Sequence, residues 1–138
     1  MTAVEPATDT VSVRNPAEGR VAGAVPVDGP DTVAAKAREL RLFQQDWEAM
    51  GAAGRKKWML KWQDWILDNA DHLTDVLMSE TGKSRIDAAL EPVGVADAIN
   101  YWANHAEEFL SDRHPKAHSP LFKVKKLTTV YRPYPVVG

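Results

Sequence analysis

The sequence predicts an α+β domain that is mostly helical, with an N-terminal β-hairpin, four to five helices and a C-terminal edge strand. Apolar residues recur every three or four positions between residues 33 and 110, which is the spacing of one face of an α-helix. Before them, valines alternate with polar residues around a turn. After them, β-branched and aromatic residues are interleaved with lysines, a pattern typical of a strand.

Length and composition limit the classes of function. A chain of 138 residues and 15.3 kDa suffices for one domain with a core of ordinary size. Its 17 basic and 19 acidic residues are mixed along the chain, so we expect no nucleic-acid partner. With no long apolar run and no signal-peptide pattern, we expect a cytoplasmic protein without membrane contact. The chain has no cysteine, which excludes a thiol nucleophile within it.

The N-terminal part predicts a tail followed by a hairpin. Residues 1–10 have no apolar period and are expected to be disordered. Over residues 11–29, two valine-rich stretches flank a turn that contains Asn15-Pro16 and Glu18-Gly19. This arrangement predicts strand, turn and strand.

Residues 30–111 predict a helical layer whose central feature is a tryptophan stripe. The first helix begins after Pro30, ends at Gly51 and is expected to lie antiparallel to the second. On the second helix Trp58, Trp62 and Trp65 share one face, and burying them would contribute about 10 kcal/mol of gross free energy. We therefore predict that they are core residues. The alternative is that part of this face meets something outside the chain.

Helix-breaking residues predict where the last helices begin and end. Two helices are expected to meet near residue 70, and Gly82 is placed to end the last turn of the later one. Pro92 predicts a kink or a fresh start before a long, enclosed helix that runs to Ser111. Residues 112–120 predict an irregular loop. Over residues 121–138 the pattern predicts a strand at the edge of a sheet, where its lysines would disfavour pairing with a further strand. We expect this strand to lead into a region that the chain does not contain.

Four short motifs occur together in the order and approximate spacing of one family. They are Asn15-Pro16-Ala17-Glu18-Gly19, Glu80-Thr81-Gly82-Lys83, Tyr101-Trp102-Ala103 and the C-terminal stretch from Val130 to Gly138. From Val11 onward the chain resembles the N-terminal portion, a third or less, of an NAD(P)-dependent aldehyde dehydrogenase. The chain departs from the usual pattern at Ser84 and Pro135. The resemblance implies that the fold is an incomplete piece of the aldehyde dehydrogenase fold.

The resemblance also implies where the chemistry lies. In the family, the nucleophilic cysteine, the general-base glutamate and the cofactor-binding lysine all come later than the position of Gly138. We therefore expect no catalytic or cofactor-binding residue and no bound cofactor in this chain, which alone should be inactive. The parent enzyme would use NAD or NADP to oxidise an aldehyde to its acid.

A few residues correspond to functional positions of the family. Glu80 matches a carboxylate that in some members binds a monovalent cation together with a strand carbonyl, here near Val13 or Arg14. The competing interpretation is an ordinary polar residue near a helix end. Leu90 and Gly94 match positions that in relatives line the mouth of the aldehyde tunnel.

Partners are implied in the same way. The hairpin and helices resemble the N-terminal layer of the family's cofactor-binding domain, and the strand over 122–131 resembles part of the arm that joins subunits. We expect the remainder of the parent chain as a partner, and a homo-oligomer formed through the apolar helical face or the edge strand. The alternative is a free-standing, non-enzymatic helical module for protein interaction.

Overall fold

A computed structural model describes residues 9–137 as a β-hairpin followed by four helices. The predicted tail lies outside the described residues for positions 1–8. The predicted class, mostly helical with an N-terminal hairpin and four helices, is confirmed. The elements are β1 (Thr10–Arg14), β2 (Val21–Pro26), α1 (Pro30–Ala49), α2 (Gly51–Asp68), α3 (Ala70–Thr81), α4 (Arg85–Leu110) and a short 3-10 turn at Pro120–Phe122.

The hairpin is antiparallel and carries a bulge beside its loop. Val13 pairs with Gly23 whereas Arg14 pairs with Val21, which leaves one extra residue on β2. The backbone N–H of Asn15 donates to the carbonyl of Arg20 at 2.9 Å and closes the loop. Gly19 provides the left-handed backbone that the turn requires, with φ of 70°.

The core lies between α2, α3 and α4. Its centre is Ile66 of α2 packed with Ala96 and Ile99 of α4, and Met59 and Leu73 pack against this cluster. Small alanines on α4 let the helices approach closely. The buried residues of α4 are Ala88, Pro92, Ala96, Ile99 and Ala103, more than any other helix has, so the prediction that this helix is the most enclosed is confirmed.

Pro92 lies inside α4, which continues through it from Arg85 to Leu110. Of the two predicted alternatives, a fresh helix start at this residue is therefore wrong, and a kink stays a prediction. A proline inside a helix removes one backbone hydrogen bond and costs about 3 kcal/mol. Its ring is buried on the side of α4 that faces the core, so packing offsets part of that cost.

Helix α1 does not form the predicted antiparallel pair with α2. No residue of α1 is buried, and its contact with α2 is slight. Only Met50 separates the two helices, and Gly51 starts α2 with φ of 64°. An antiparallel pair of helices needs a loop of about two to five residues. The connection is too short for it.

The tryptophan face, formed by Trp58, Trp62 and Trp65, is only half-buried. These side chains remain 47%, 51% and 53% exposed, so the prediction that they form the core is wrong. Each residue turns a helix by about 100°, and the positions one step further along, with Ile66 the most buried, face the core instead. The alternative, a face that meets something outside the chain, is the better interpretation.

The C-terminal edge strand is not formed within the described residues. Residues 120–122 make a 3-10 turn, and the only ladder contact of this region is a single antiparallel bridge between Arg113 and Thr129. After the turn, the N–H groups of Lys123 and Lys125 donate to local carbonyls at 3.2 and 2.9 Å. A β-branched segment needs a neighbouring strand to pair with, and this segment has one only at Thr129.

Candidate functional site

The candidate site is the contact between the hairpin loop and the C-terminal end of α3, which brings the first two sequence motifs together. Asn15 is its centre and is only 1% exposed. Its side-chain Nδ2 donates to the carbonyls of Ser79 at 2.9 Å and Met78 at 3.3 Å. Its Oδ1 accepts from the backbone N–H of Ala17 at 3.0 Å and of Glu18 at 3.1 Å. One amide therefore orders its own loop and attaches that loop to a distant helix.

Gly82 completes this contact and is required there for two reasons. It ends α3 in the left-handed conformation with φ of 73°, which confirms the prediction from its position. A Cβ added to it would lie 2.5 Å from the Cβ of Ala17 and 2.7 Å from Oδ1 of Asn15. Any larger residue would push the loop off the helix.

Charged side chains of both signs surround the contact. A cavity of about 270 Å³ beside it is lined in part by Glu18, Arg20, Asp75 and Lys83. Glu18 pairs with Arg20, and Asp75 pairs with Arg85 at 2.9 Å. These partners are about half exposed, so each pair contributes at most about 1 kcal/mol to stability.

The residues predicted to hold a monovalent cation lie on elements that touch. Val13 and Arg14 are on β1, which contacts α3, and Glu80 is in the last turn of α3 with an exposed side chain. Nη1 of Arg14 donates to the carbonyl of Gly19. Within residues 9–137 no group of three or more His, Cys, Asp or Glu residues could hold a metal ion. A cation here would therefore depend on Glu80 and backbone oxygens, and the site stays a prediction.

Leu90 and Gly94 lie four residues apart on α4 and therefore share a face of that helix. Leu90 is 64% exposed, and no atom lies within 4 Å of a Cβ built on Gly94. Neither residue lines the cavity beside the hairpin. The structure thus places the two predicted tunnel residues together on an open surface, apart from the Asn15 contact.

The other two motifs are only partly buried. In the third, Ala103 is buried while the rings of Tyr101 and Trp102 meet edge to face at 5.2 Å. In the fourth, Pro135 and the two valines that follow it line an apolar cavity of about 570 Å³ against Phe43 and Trp47 of α1. Gly138 lies outside the described residues.

Asn15 was not predicted to be the residue that joins hairpin and helix. Two local signals pointed towards it. Asparagine readily bonds to backbone N–H groups two residues on, and a proline directly after it favours a turn. The partner carbonyls on α3, 63 and 64 residues away, have no sequence signature.

Comparison with known proteins identifies the family of this chain. Residues 3–138 match the model of the aldehyde dehydrogenase family. The chain belongs to the aldehyde dehydrogenase family. This confirms the resemblance to an N-terminal portion of such an enzyme and favours it over a free-standing interaction module.

Curated relatives in this family are much longer than the chain. A Mycobacterium tuberculosis protein named a putative succinate-semialdehyde dehydrogenase (NADP(+)) is 32% identical over 120 residues, 87% of this chain and 23% of the relative. A Mycolicibacterium smegmatis protein of similar name is also 32% identical, with the same coverage. The glutarate-semialdehyde dehydrogenase of Pseudomonas putida is 28% identical over 129 residues, 94% of this chain and 26% of the relative. The chain thus spans about a quarter of their length.

The aldehyde dehydrogenase portion described here has no helix long and apolar enough to cross a membrane. That finding concerns the described residues alone. A cytoplasmic location stays a prediction.

Proposed function

We propose that this chain is a scaffold within an enzyme that oxidises an aldehyde to its carboxylic acid with NAD or NADP. Its family membership carries the proposal. The reaction of this family needs a thiol nucleophile, and the 138 residues contain no cysteine. The catalytic residues therefore belong to sequence other than this chain, and the cofactor supplies hydride acceptance when it is bound there.

The scaffold role rests on the contact between Asn15 and the end of α3. This contact holds β1 against the helix that carries Glu80. We propose that the Glu80 carboxylate and a backbone carbonyl of Val13 or Arg14 bind a monovalent cation there. Carboxylate and carbonyl oxygens suit hard cations, and the exposed Glu80 side chain is accessible to one.

The exposed surfaces support contacts with the rest of the enzyme. Leu90 and Gly94 present an open patch on α4, in keeping with a position at the mouth of a substrate tunnel that other residues complete. The tryptophan face is half exposed, and large apolar surfaces of this kind mark interfaces. We propose that the remainder of the enzyme, or a second subunit, covers it.

The names of the relatives favour one class of aldehyde as the substrate. The proteins from Mycobacterium tuberculosis and Pseudomonas putida are named for succinate semialdehyde and glutarate semialdehyde. Both compounds carry a carboxylate at the end opposite the aldehyde. We propose a short aldehyde of this class as the substrate of the whole enzyme.

The test compares two proteins by the absorbance of the reduced nicotinamide. One is the 138-residue chain, and the other is the chain joined to the aldehyde dehydrogenase sequence that follows these motifs in its relatives. Each is assayed with both semialdehydes and with NAD and NADP. We expect oxidation by the longer protein and none by the chain. Turnover by the chain alone would refute the scaffold role, and an inactive but folded longer protein would refute the enzyme class.

The cation is tested separately in the longer protein. Glu80→Gln removes one ligand charge, so we expect activation or stabilisation by potassium to require higher concentrations. Glu48→Gln, on the exposed surface of α1, is the matched control and should leave the potassium dependence unchanged. An identical potassium titration for both variants would exclude Glu80 as a ligand.

A further inference from the structure

The charges of the chain are strongly segregated at its C-terminal end. All 19 acidic residues lie within the first 112 positions. From Arg113 to Gly138 there is no Asp or Glu, but there are six basic residues, namely Arg113, Lys116, Lys123, Lys125, Lys126 and Arg132. The prediction that basic and acidic residues are mixed along the chain is therefore wrong for this segment. A local excess of one sign attracts the opposite charge.

The fold gathers all four of these lysines around one cavity. The bridge between Arg113 and Thr129 closes a loop, and the turn at residues 120–122 reverses its direction. The resulting cavity of about 440 Å³ is open to solvent, and one histidine and four lysines are among the residues that line it; we call it the lysine pocket. These residues are His114, Lys116, Lys123, Lys125 and Lys126.

The lysine pocket has no internal counter-charge. The ion pairs found across residues 9–137 involve Arg20, Lys36, Lys83 and Arg85, and none of them uses a lysine of the pocket. Like charges that line one cavity repel each other, and a bound anion would relieve that repulsion. A lysine acts as a compact point charge and is a common ligand of phosphate.

We propose that the lysine pocket binds a compact, multiply charged phosphate compound of the pyrophosphate class. A single carboxylate would neutralise one of the four ammonium groups, whereas a diphosphate carries enough charge to engage several. The volume lies within the range of about 300 to 1,000 Å³ that is typical of small-molecule sites. The cavity is open to solvent, and the bridge between Arg113 and Thr129 confines the four lysines to one short loop, which favours a compact ligand over an extended polymer.

Isothermal titration of the intact protein with inorganic pyrophosphate at physiological ionic strength tests the proposal. We expect saturable binding at one site per chain. The double variant Lys123→Gln/Lys125→Gln should weaken it about tenfold or more, because two charges leave the pocket. Lys123→Arg/Lys125→Arg keeps the charges and should bind within about threefold of the parent.

The matched control is Lys57→Gln/Lys61→Gln, which removes two exposed charges from α2, outside the pocket. Its affinity should equal that of the parent, and circular dichroism should show the same helix content for every variant. Equal weakening by both glutamine pairs would overturn the proposal in favour of general charge attraction. The absence of saturable binding would overturn it as well. Binding to vesicles rich in anionic lipid without binding to pyrophosphate would assign the segment to a membrane surface instead.

Discussion

Nδ2 of Asn15 donates a hydrogen bond of 2.9 Å to the carbonyl oxygen of Ser79, which lies 64 residues later in the chain. The bond joins the hairpin loop to the last turn of α3, where free carbonyls are available because the helix ends. Two sequence motifs that are far apart therefore form a single structural unit. Gly82 permits this contact because a Cβ at its position would clash with the hairpin loop.

Asn15→Ala should lower the free energy of unfolding by about 2 to 3 kcal/mol, because the N–H groups of Ala17 and Glu18 lose their acceptor and the carbonyls of α3 lose their buried donor. Urea denaturation followed by tryptophan fluorescence measures this change. The control is Asn104→Ala, an exposed asparagine of α4 that bonds within its own helix. Equal effects of the two substitutions would mean that the Asn15 contact contributes no special stability.

Gly82→Ala should destabilise the chain more than Gly51→Ala. Both glycines have positive φ, of 73° and 64°, so alanine costs about 1 kcal/mol of backbone strain at either position. At Gly51 the added methyl group meets open space, whereas at Gly82 it would lie 2.5 Å from the Cβ of Ala17. The difference between their unfolding free energies isolates the clash. Equal losses would show that the hairpin loop moves aside at no cost.

Some parts of this structure follow from local sequence, and others do not. The left-handed end of α3 was predictable because Gly82 alone satisfies a local conformational need. The hairpin was predictable because its turn residues lie between alternating valines. The bond from Asn15 to Ser79 was not, because no local pattern specifies which helix end a loop will meet.

The tryptophan face and the C-terminal segment show a second limit. Helical spacing predicts that Trp58, Trp62 and Trp65 share a face, but burial depends on what packs against that face. Likewise, β-branched residues favour a strand only where a neighbour offers backbone partners, and over residues 122–131 that partner exists at Thr129 alone. Both predictions assumed neighbours that the described residues do not include.

The core should be sensitive at Ile66 and tolerant at Ile86, although the chemistry of the substitution is the same. Ile66 is 5% exposed between α2 and α4, whereas Ile86 is 78% exposed at the start of α4. Ile66→Ala should cost about 2 to 5 kcal/mol of stability through lost burial and a cavity. Ile86→Ala should change it by less than about 0.5 kcal/mol. Urea denaturation of the two variants provides the comparison, and similar midpoints would contradict this core.

Self-association should depend on the tryptophan face. An exposed apolar surface gains free energy when a second copy covers it, by about 25 cal/mol for each Å² buried. We therefore expect light scattering to show dimers or larger species as the concentration of the 138-residue chain rises. Trp62→Gln/Trp65→Gln should shift this transition to higher concentration, because both rings are about half exposed on that face.

The control for self-association is Leu121→Gln/Val124→Gln. It removes two apolar side chains that are 76% and 86% exposed, and these belong to the C-terminal turn instead of the tryptophan face. If this pair lowered association as much as the tryptophan pair, the contact would be unspecific. A compact monomer at every concentration would mean that the half-exposed tryptophans remain in contact with solvent. That result would contradict the inference that they mark an interface.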